Sequence, residues 1–173
     1  MKRVMIVGVS SGVGKSTLAR EMGKRLDLPV HHLDALHWEP GWKEAEPDVF
    51  AARQKAVAAG DKWIIEGNYR PTYDIRAARA DTIVYVELPL RVCLYRVVKR
   101  WWKFRGRSRP DLGPGCEERL DYDFLKFIVT TYHRRKREMQ ERLLSFQLEN
   151  PSSEVIQIRS QRETAAFLKY MEQ

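Results

Sequence analysis

Residues 8–17, GVSSGVGKST, restrict what this chain can fold into more than any other stretch. They lie between a short apolar run, RVMIV (3–7), and an amphipathic segment, LAREMGKRL (18–26). A strand, a glycine-rich turn and a helix in that order point unpaired backbone N–H groups and the positive end of the helix dipole at one spot, which suits a phosphate. Lys15 can reach the β- and γ-phosphates of a nucleotide, and Ser16 can ligate Mg²⁺. The strict pattern G-x-x-x-x-G-K-[ST] asks for glycine at position 9. The chain has Val9 there, with Gly8 one residue early. Either the loop is one residue longer or Val9 tolerates the turn.

The rest of the chain alternates in the way such a loop requires. Strands are expected at 3–7, 28–34, 62–67, 81–89 and 153–159, each a short apolar run bounded by turn residues. Helices are expected at 15–26, with Leu18, Met22 and Leu26 on one face, and at 47–59, 90–104, 119–148 and 161–171. A break is expected in the long helix near Tyr132-His133. Residues 106–116, GRSRPDLGPGC, hold three glycines and two prolines and read as a mobile loop. Five strands alternating with helices predict a parallel sheet covered on both faces, within a single domain of 173 residues. Ligands of such sheets bind at the carboxyl ends of the strands.

Composition narrows the partners. The net charge of +8 favours anions. It is concentrated in residues 91–109, which carry eight Lys or Arg and no acid, and in Arg134-Arg135-Lys136-Arg137. No apolar run approaches the roughly 18 residues of a membrane span. The N-terminus reads as a first strand, because a leader cut there would discard the glycine loop. Cys93 and Cys116 lie far apart and form no CxxC, which fits a reduced cytoplasmic protein without a zinc site.

The other candidates sit at strand ends. Asp34 could accept a proton from an attacking hydroxyl or orient Mg²⁺ waters. Glu66 follows the apolar WII as a second metal-shell carboxylate would, and Gly67 would let a ligand approach closely. His31 and His32 do not suggest a metal, since adjacent strand residues point to opposite faces. Trp38 and Trp42 either stack on a planar substrate or plug their loop onto the core. The basic, aromatic stretch 91–109 reads as a phosphate-covering lid or as a nucleic-acid surface using Trp101, Trp102 and Phe104. Its helical pattern puts Leu94, Val97, Val98, Trp101 and Trp102 near one face. At least one of the two tryptophans is therefore expected to be mostly buried, with the charges opposite.

These residues resemble the adenylate-kinase-like P-loop proteins, and within them the FlaR-related group described as DNA topology modulation proteins. The resemblance runs over nearly the whole chain, through GVSSGVGKSTLAR, PVHHLDALHWEPGW, WIIEGNY, ADTIVYVELPLRVCLYRVVKR and RSRPDLGPGCEERLDYDFLKF. It implies an α/β P-loop NTPase fold with strand order 2-3-1-4-5, an acceptor-site segment at about 35–61 and a small lid at about 103–119. It further implies that Gly12, Val13, Gly14, Lys15, Ser16 and Thr17 bind the phosphates and Mg²⁺. Asp34 would lie at the acceptor site, Arg96 and Arg100 would flank the nucleotide, and Arg107 and Arg109 would be lid arginines. The 35–61 segment departs from the pattern, being short for a nucleoside-monophosphate site and without its phosphate-gripping arginines. The expected function is an ATP-binding, Mg²⁺-dependent phosphotransferase on a small-molecule acceptor, with Lys15, Asp34, Glu66, Arg107 and Arg109 catalytic and Ser16, Asp34 and Glu66 near the metal. The alternative is an ATP-gated DNA-binding protein. No helix-turn-helix or C₂H₂ finger supports it, and nucleic-acid binding is expected to be weak and non-specific.

Overall fold

Val4, Met5, Ile6 and Val7 are each fully buried, as a strand with parallel neighbours on both sides requires. They belong to β1 (Arg3–Gly8), the middle strand of the sheet in this computed structural model, which describes residues 1–171. The chain continues through α1 (Lys15–Leu26), β2 (Val30–His32), α2 (Leu33–His37), β3 (Trp38–Glu39), β4 (Lys43–Glu44), α3 (Pro47–Ala58), β5 (Trp63–Glu66) and α4 (Tyr73–Ala77). It ends with β6 (Thr82–Val86), α5 (Leu90–Phe104), α6 (Tyr122–Glu149), β7 (Glu154–Ile158) and α7 (Gln161–Tyr170). Five parallel strands run in the order β2-β5-β1-β6-β7. Setting aside the separate β3–β4 hairpin, this is the expected 2-3-1-4-5 order.

Helices cover both faces of the sheet. Leu18, Ala19 and Met22 bury the inner side of α1 against β1, β2 and β5, and α7 packs on α1 and β7. Helix α6 packs on α5 and β7, and Tyr132 donates from its hydroxyl to the Leu88 carbonyl at 2.8 Å. That anchor lies where a break was expected. With Thr131 and Tyr132 buried and no glycine or proline nearby, α6 runs unbroken to Glu149. No described helix is long and apolar enough to cross a membrane.

Two further expectations are corrected. The second strand stops at His32, so Asp34 lies in α2 and not at a strand tip. Helix α5 is also turned from its expected setting. Cys93 and Val97 are buried, Val98 is 43% exposed and Trp102 is 74% exposed. Trp101 is the one mostly buried tryptophan that was expected, whereas Val98 and Trp102 lie off the packed face. The same helix carries Arg96 and Arg100 to the cavity beside the glycine loop.

Candidate active site

The glycine loop wraps as its sequence requires. Gly12 and Gly14 hold φ values of 78° and 102°, in the left-handed region. A Cβ on Gly12 would come 2.3 Å from the Cys93 carbonyl oxygen, so α5 can approach only a glycine there. Val9 stays out of the left-handed region and donates its N–H to the Val86 carbonyl at 3.0 Å. The choice left open by the sequence resolves here: Val9 tolerates the turn, since the backbone reversal falls later, at Gly12 and Gly14.

Lys15 starts α1 and folds back over the loop. Its Nζ lies 3.5 Å from the Ser10 carbonyl oxygen and 3.8 Å from Glu66 Oε1. Glu66 and His32 are register partners on β5 and β2, and His32 Nδ1 meets Glu66 Oε2 at 2.9 Å. Burial alone would raise the Glu66 pKa. The His32 contact, the Lys15 charge and a hydrogen bond with Ser16 outweigh it and hold the carboxyl below its ordinary range.

Asp34 behaves oppositely. Burial first, and the Glu66 charge second, push its pKa up, and Lys15, Arg109 and the Tyr69 hydroxyl only partly counter this. Tyr69 donates to Asp34 Oδ1 at 3.0 Å and is itself held protonated, chiefly by burial. Two carboxyls at one sheet edge are thus driven apart in proton affinity. Such a division separates a fixed anion from a group able to take up a proton. Gly67 serves a different purpose from the one expected. At φ 149°, its built Cβ would fall 2.7 Å from Leu33 Cβ, so the close approach there is by a core side chain and not by a ligand. Arg76, fully buried, donates to the Gly67 and Tyr69 carbonyls at 3.1 Å each and thereby fixes this turn.

Lys15, Ser16, Asp34, Glu66, Arg96, Arg100 and Arg109 all line one cavity of about 590 Å³. Gly12, Val13, Gly14 and Thr17 line it from the loop, and Gln161, Thr164 and Leu168 of α7 close its far side. Arg96 Nη1 donates to the Val13 carbonyl at 3.0 Å, fastening α5 to the loop. Arg107 is exposed and does not reach the cavity wall. Arg109 is 8% exposed, with Nη1 2.8 Å from Asp111 Oδ2.

Asp111 was not among the sequence candidates, although it lines the cavity. Burial would raise its pKa, but the Arg109 charge and a hydrogen bond with Ser16 hold it down. Ser16, Glu66 and Asp111 therefore offer a hydroxyl and two ionised carboxylates, the hard oxygen donors that Mg²⁺ takes. Among the described residues no cluster of three His, Cys, Asp or Glu could hold a metal by itself, so phosphate oxygens and water would have to complete such a shell.

The 105–119 segment is seated on the β3–β4 hairpin. Gly41 N–H donates to the Gly115 carbonyl at 3.0 Å, Trp42 Nε1–H to the Glu117 carbonyl at 2.9 Å, and Cys116 Sγ to the Glu39 carbonyl at 3.3 Å. The Arg119 guanidinium lies 5.0 Å from the centre of the Trp42 ring, and Trp38 and Trp42 meet edge to face at 5.3 Å. Both tryptophans thus pack against other parts of the protein. Trp42 holds φ 63°, a costly conformation for a bulky residue.

No protein-family model matches the chain, and no curated protein does. Solved structures do. A shikimate kinase from Bacteroides thetaiotaomicron aligns over 99% of this chain and 96% of its own, with TM-score 0.54 and 14% identity. A shikimate kinase from Aquifex aeolicus covers 98% and 92%, with TM-score 0.54 and 13% identity. A gluconokinase from Sinorhizobium meliloti covers 99% and 93%, with TM-score 0.53 and 16% identity. At these identities the likeness is one of fold and does not extend to the DNA topology modulation group. In architecture, the chain is a P-loop kinase-like protein.

Proposed function

We propose that the protein is an ATP- and Mg²⁺-dependent phosphotransferase acting on a small-molecule acceptor. The carrying observation is the single cavity in which the glycine loop, Lys15, three inward arginines and the proton-hungry carboxyl of Asp34 meet. In this reading Lys15 and the loop amides hold the β- and γ-phosphates, and Arg96 and Arg100 flank the nucleotide. Ser16 would hold Mg²⁺, with Glu66 and Asp111 in or behind its water shell. Bound there, the ion would neutralise phosphate charge. Asp34 accepts the proton of the attacking hydroxyl, with Tyr69 orienting it. Arg109 meets charge on the migrating phosphoryl group. Arg107 joins only after further movement of the 103–119 lid, because it starts outside the cavity. The 35–61 segment supplies the acceptor side, and its His37 and Phe50 pack with Tyr69, ring centres 4.6–4.8 Å apart. The buried free thiols Cys93 and Cys116 suit a reducing cytoplasm.

Calorimetry with a non-hydrolysable ATP analogue tests this reading. Lys15→Ala should abolish tight binding while circular dichroism stays unchanged, because a charge-assisted contact is lost and not a core side chain. Unchanged affinity would remove the phosphate-loop assignment.

One observation favours a second reading. Trp102 is 74% exposed and Tyr95 is 65% exposed on the basic outer side of α5, where bases could stack between cations. Sub-micromolar, ATP-dependent DNA binding at physiological salt would favour the nucleotide-gated DNA binder over the kinase. Affinities of order 10⁻⁴ to 10⁻⁶ M with a steep salt slope would leave DNA as a non-specific ligand.

A further inference from the structure

Glu118 stands outside the cavity wall, yet two arginines of that wall end on it. Arg100 reaches it from α5, with Nε 2.8 Å from Oε1. Arg109 reaches it from the 105–119 segment, with Nε 2.6 Å from Oε2. Both oxygens of one carboxylate face an arginine: Oε1 accepts a hydrogen bond from Arg100 Nε, and Oε2 is ion-paired with Arg109 without a hydrogen bond between them. A guanidinium has five N–H donors in a rigid fork, so the Nε hydrogen bond fixes the plane of Arg100 and leaves its terminal amino groups for something in front, while Arg109 is drawn to the same carboxylate by charge. Arg109 gives one of them to Asp111. The terminal groups of Arg100 take no hydrogen-bond partner among the described residues.

Glu118 is 6% exposed, and a carboxylate so buried persists only when paired. Its own backbone N–H donates to the Arg107 carbonyl at 3.0 Å, so its position is set by the 105–119 segment while its charge reaches α5. The two guanidiniums are close: burial first, then the Arg109 charge, lowers the Arg100 pKa, and Glu118 opposes this. Two cations held together on one wall by an anion behind them match a ligand carrying concentrated negative charge in front. Arg100 and Arg109 line the same cavity as Asp34.

We propose that Glu118 is a positioning residue that holds Arg100 and Arg109 side by side as one clamp for the terminal phosphate of a nucleoside triphosphate, so that triphosphate and diphosphate are told apart there. The proposal rests on the kinase reading above. It is tested on the full chain by calorimetry with the Mg²⁺ complexes of a non-hydrolysable ATP analogue and of ADP. Glu118→Gln keeps the shape but not the charge, and should weaken the triphosphate analogue about tenfold or more while ADP changes less than about twofold. Arg100→Lys keeps the charge but loses Nε and the fork, and should show the same selective loss. The double variant should be no worse than either single one, since all three break the same clamp. If the wild type binds neither nucleotide, the kinase reading falls and the clamp with it. If the wild type prefers the triphosphate and Glu118→Gln keeps that preference, or weakens both nucleotides equally, Glu118 is a structural ion pair only and the proposal alone is overturned. Should Glu118→Gln fail to fold, Arg100→Lys decides: lost discrimination supports the clamp, and retained discrimination removes it.

Discussion

Asp34 and Glu66 share one sheet edge, and their proton affinities move in opposite directions for identifiable reasons. Glu66 is surrounded by groups that donate to it or carry positive charge, whereas Asp34 has burial and a neighbouring carboxylate against it. Two measurable consequences follow for Asp34→Asn. First, phosphoryl transfer should fall by about 10² to 10⁴-fold with little change in ATP affinity, the usual contribution of a general base. In the wild type the acidic limb of the rate profile should lie above the ordinary aspartate value of about 4, and the residual rate of the variant should lack that limb. Second, stability should respond with the opposite sign. Because the folded pKa is raised, Asp34 contributes stability below its unfolded pKa and loses that contribution as pH rises through the folded value. Urea unfolding should therefore find Asp34→Asn more stable than wild type near neutral pH, with the difference vanishing in acid. A variant with full turnover would return Asp34 to the role of a turn residue.

At the scale of elements, the 105–119 segment is tied in two directions. Backbone bonds and the Trp42 ring fasten it to the β3–β4 hairpin, and Glu118 fastens it to Arg100 of α5. The hairpin and α5 are thus joined through one segment. Arg107 and Arg109 should then behave differently, although both come from the same basic run. Arg109→Ala leaves the buried carboxylates of Asp111 and Glu118 without their shared cation, a change that costs on the order of 3 kcal/mol or more when a buried pair is broken. Hydrogen exchange should show protection of residues 105–119 by the Mg²⁺–ATP analogue lost in Arg109→Ala and largely kept in Arg107→Ala. Equal effects would mean that Arg107 reaches the phosphates after all.

For the whole molecule, ligand binding and stability are linked. A nucleotide present at about 100 times its Kd adds about 2.7 kcal/mol to the folded state. In a chain of this length that corresponds to a rise in Tm of roughly 5 to 10 °C. A melting screen with the ATP analogue fixed and sugars, nucleosides and small acids varied should give a second, additive rise for the true acceptor. The nucleotide rise should be absent in Lys15→Ala, and its persistence there would move the nucleotide to another site.

Local patterns were enough to specify the sheet, the phosphate loop and most helices. A glycine turn needs only its own residues, a buried strand needs only an apolar run, and a helix needs a periodic face and its stops. Those same local rules brought Lys15, Ser16 and Glu66 to one edge, because parallel strands deliver their carboxyl ends there, and Asp34 reaches the same cavity from the short helix that follows β2. What they could not decide was anything set by contact between distant segments. Arg96 meeting the Val13 carbonyl and Arg100 meeting Glu118 join α5 to segments far from it in sequence, and Trp102 and Val98 stay exposed on a helix whose apolar pattern placed them inside. Asp111 and Glu118 stand in a proline- and glycine-rich loop whose spacing says nothing about Ser16 or Arg100, and only folding brings them there. The opposite shifts of Asp34 and Glu66 are likewise invisible in their types. A carboxyl's proton affinity depends on its burial and on the charges beside it, and both are properties of the packed chain.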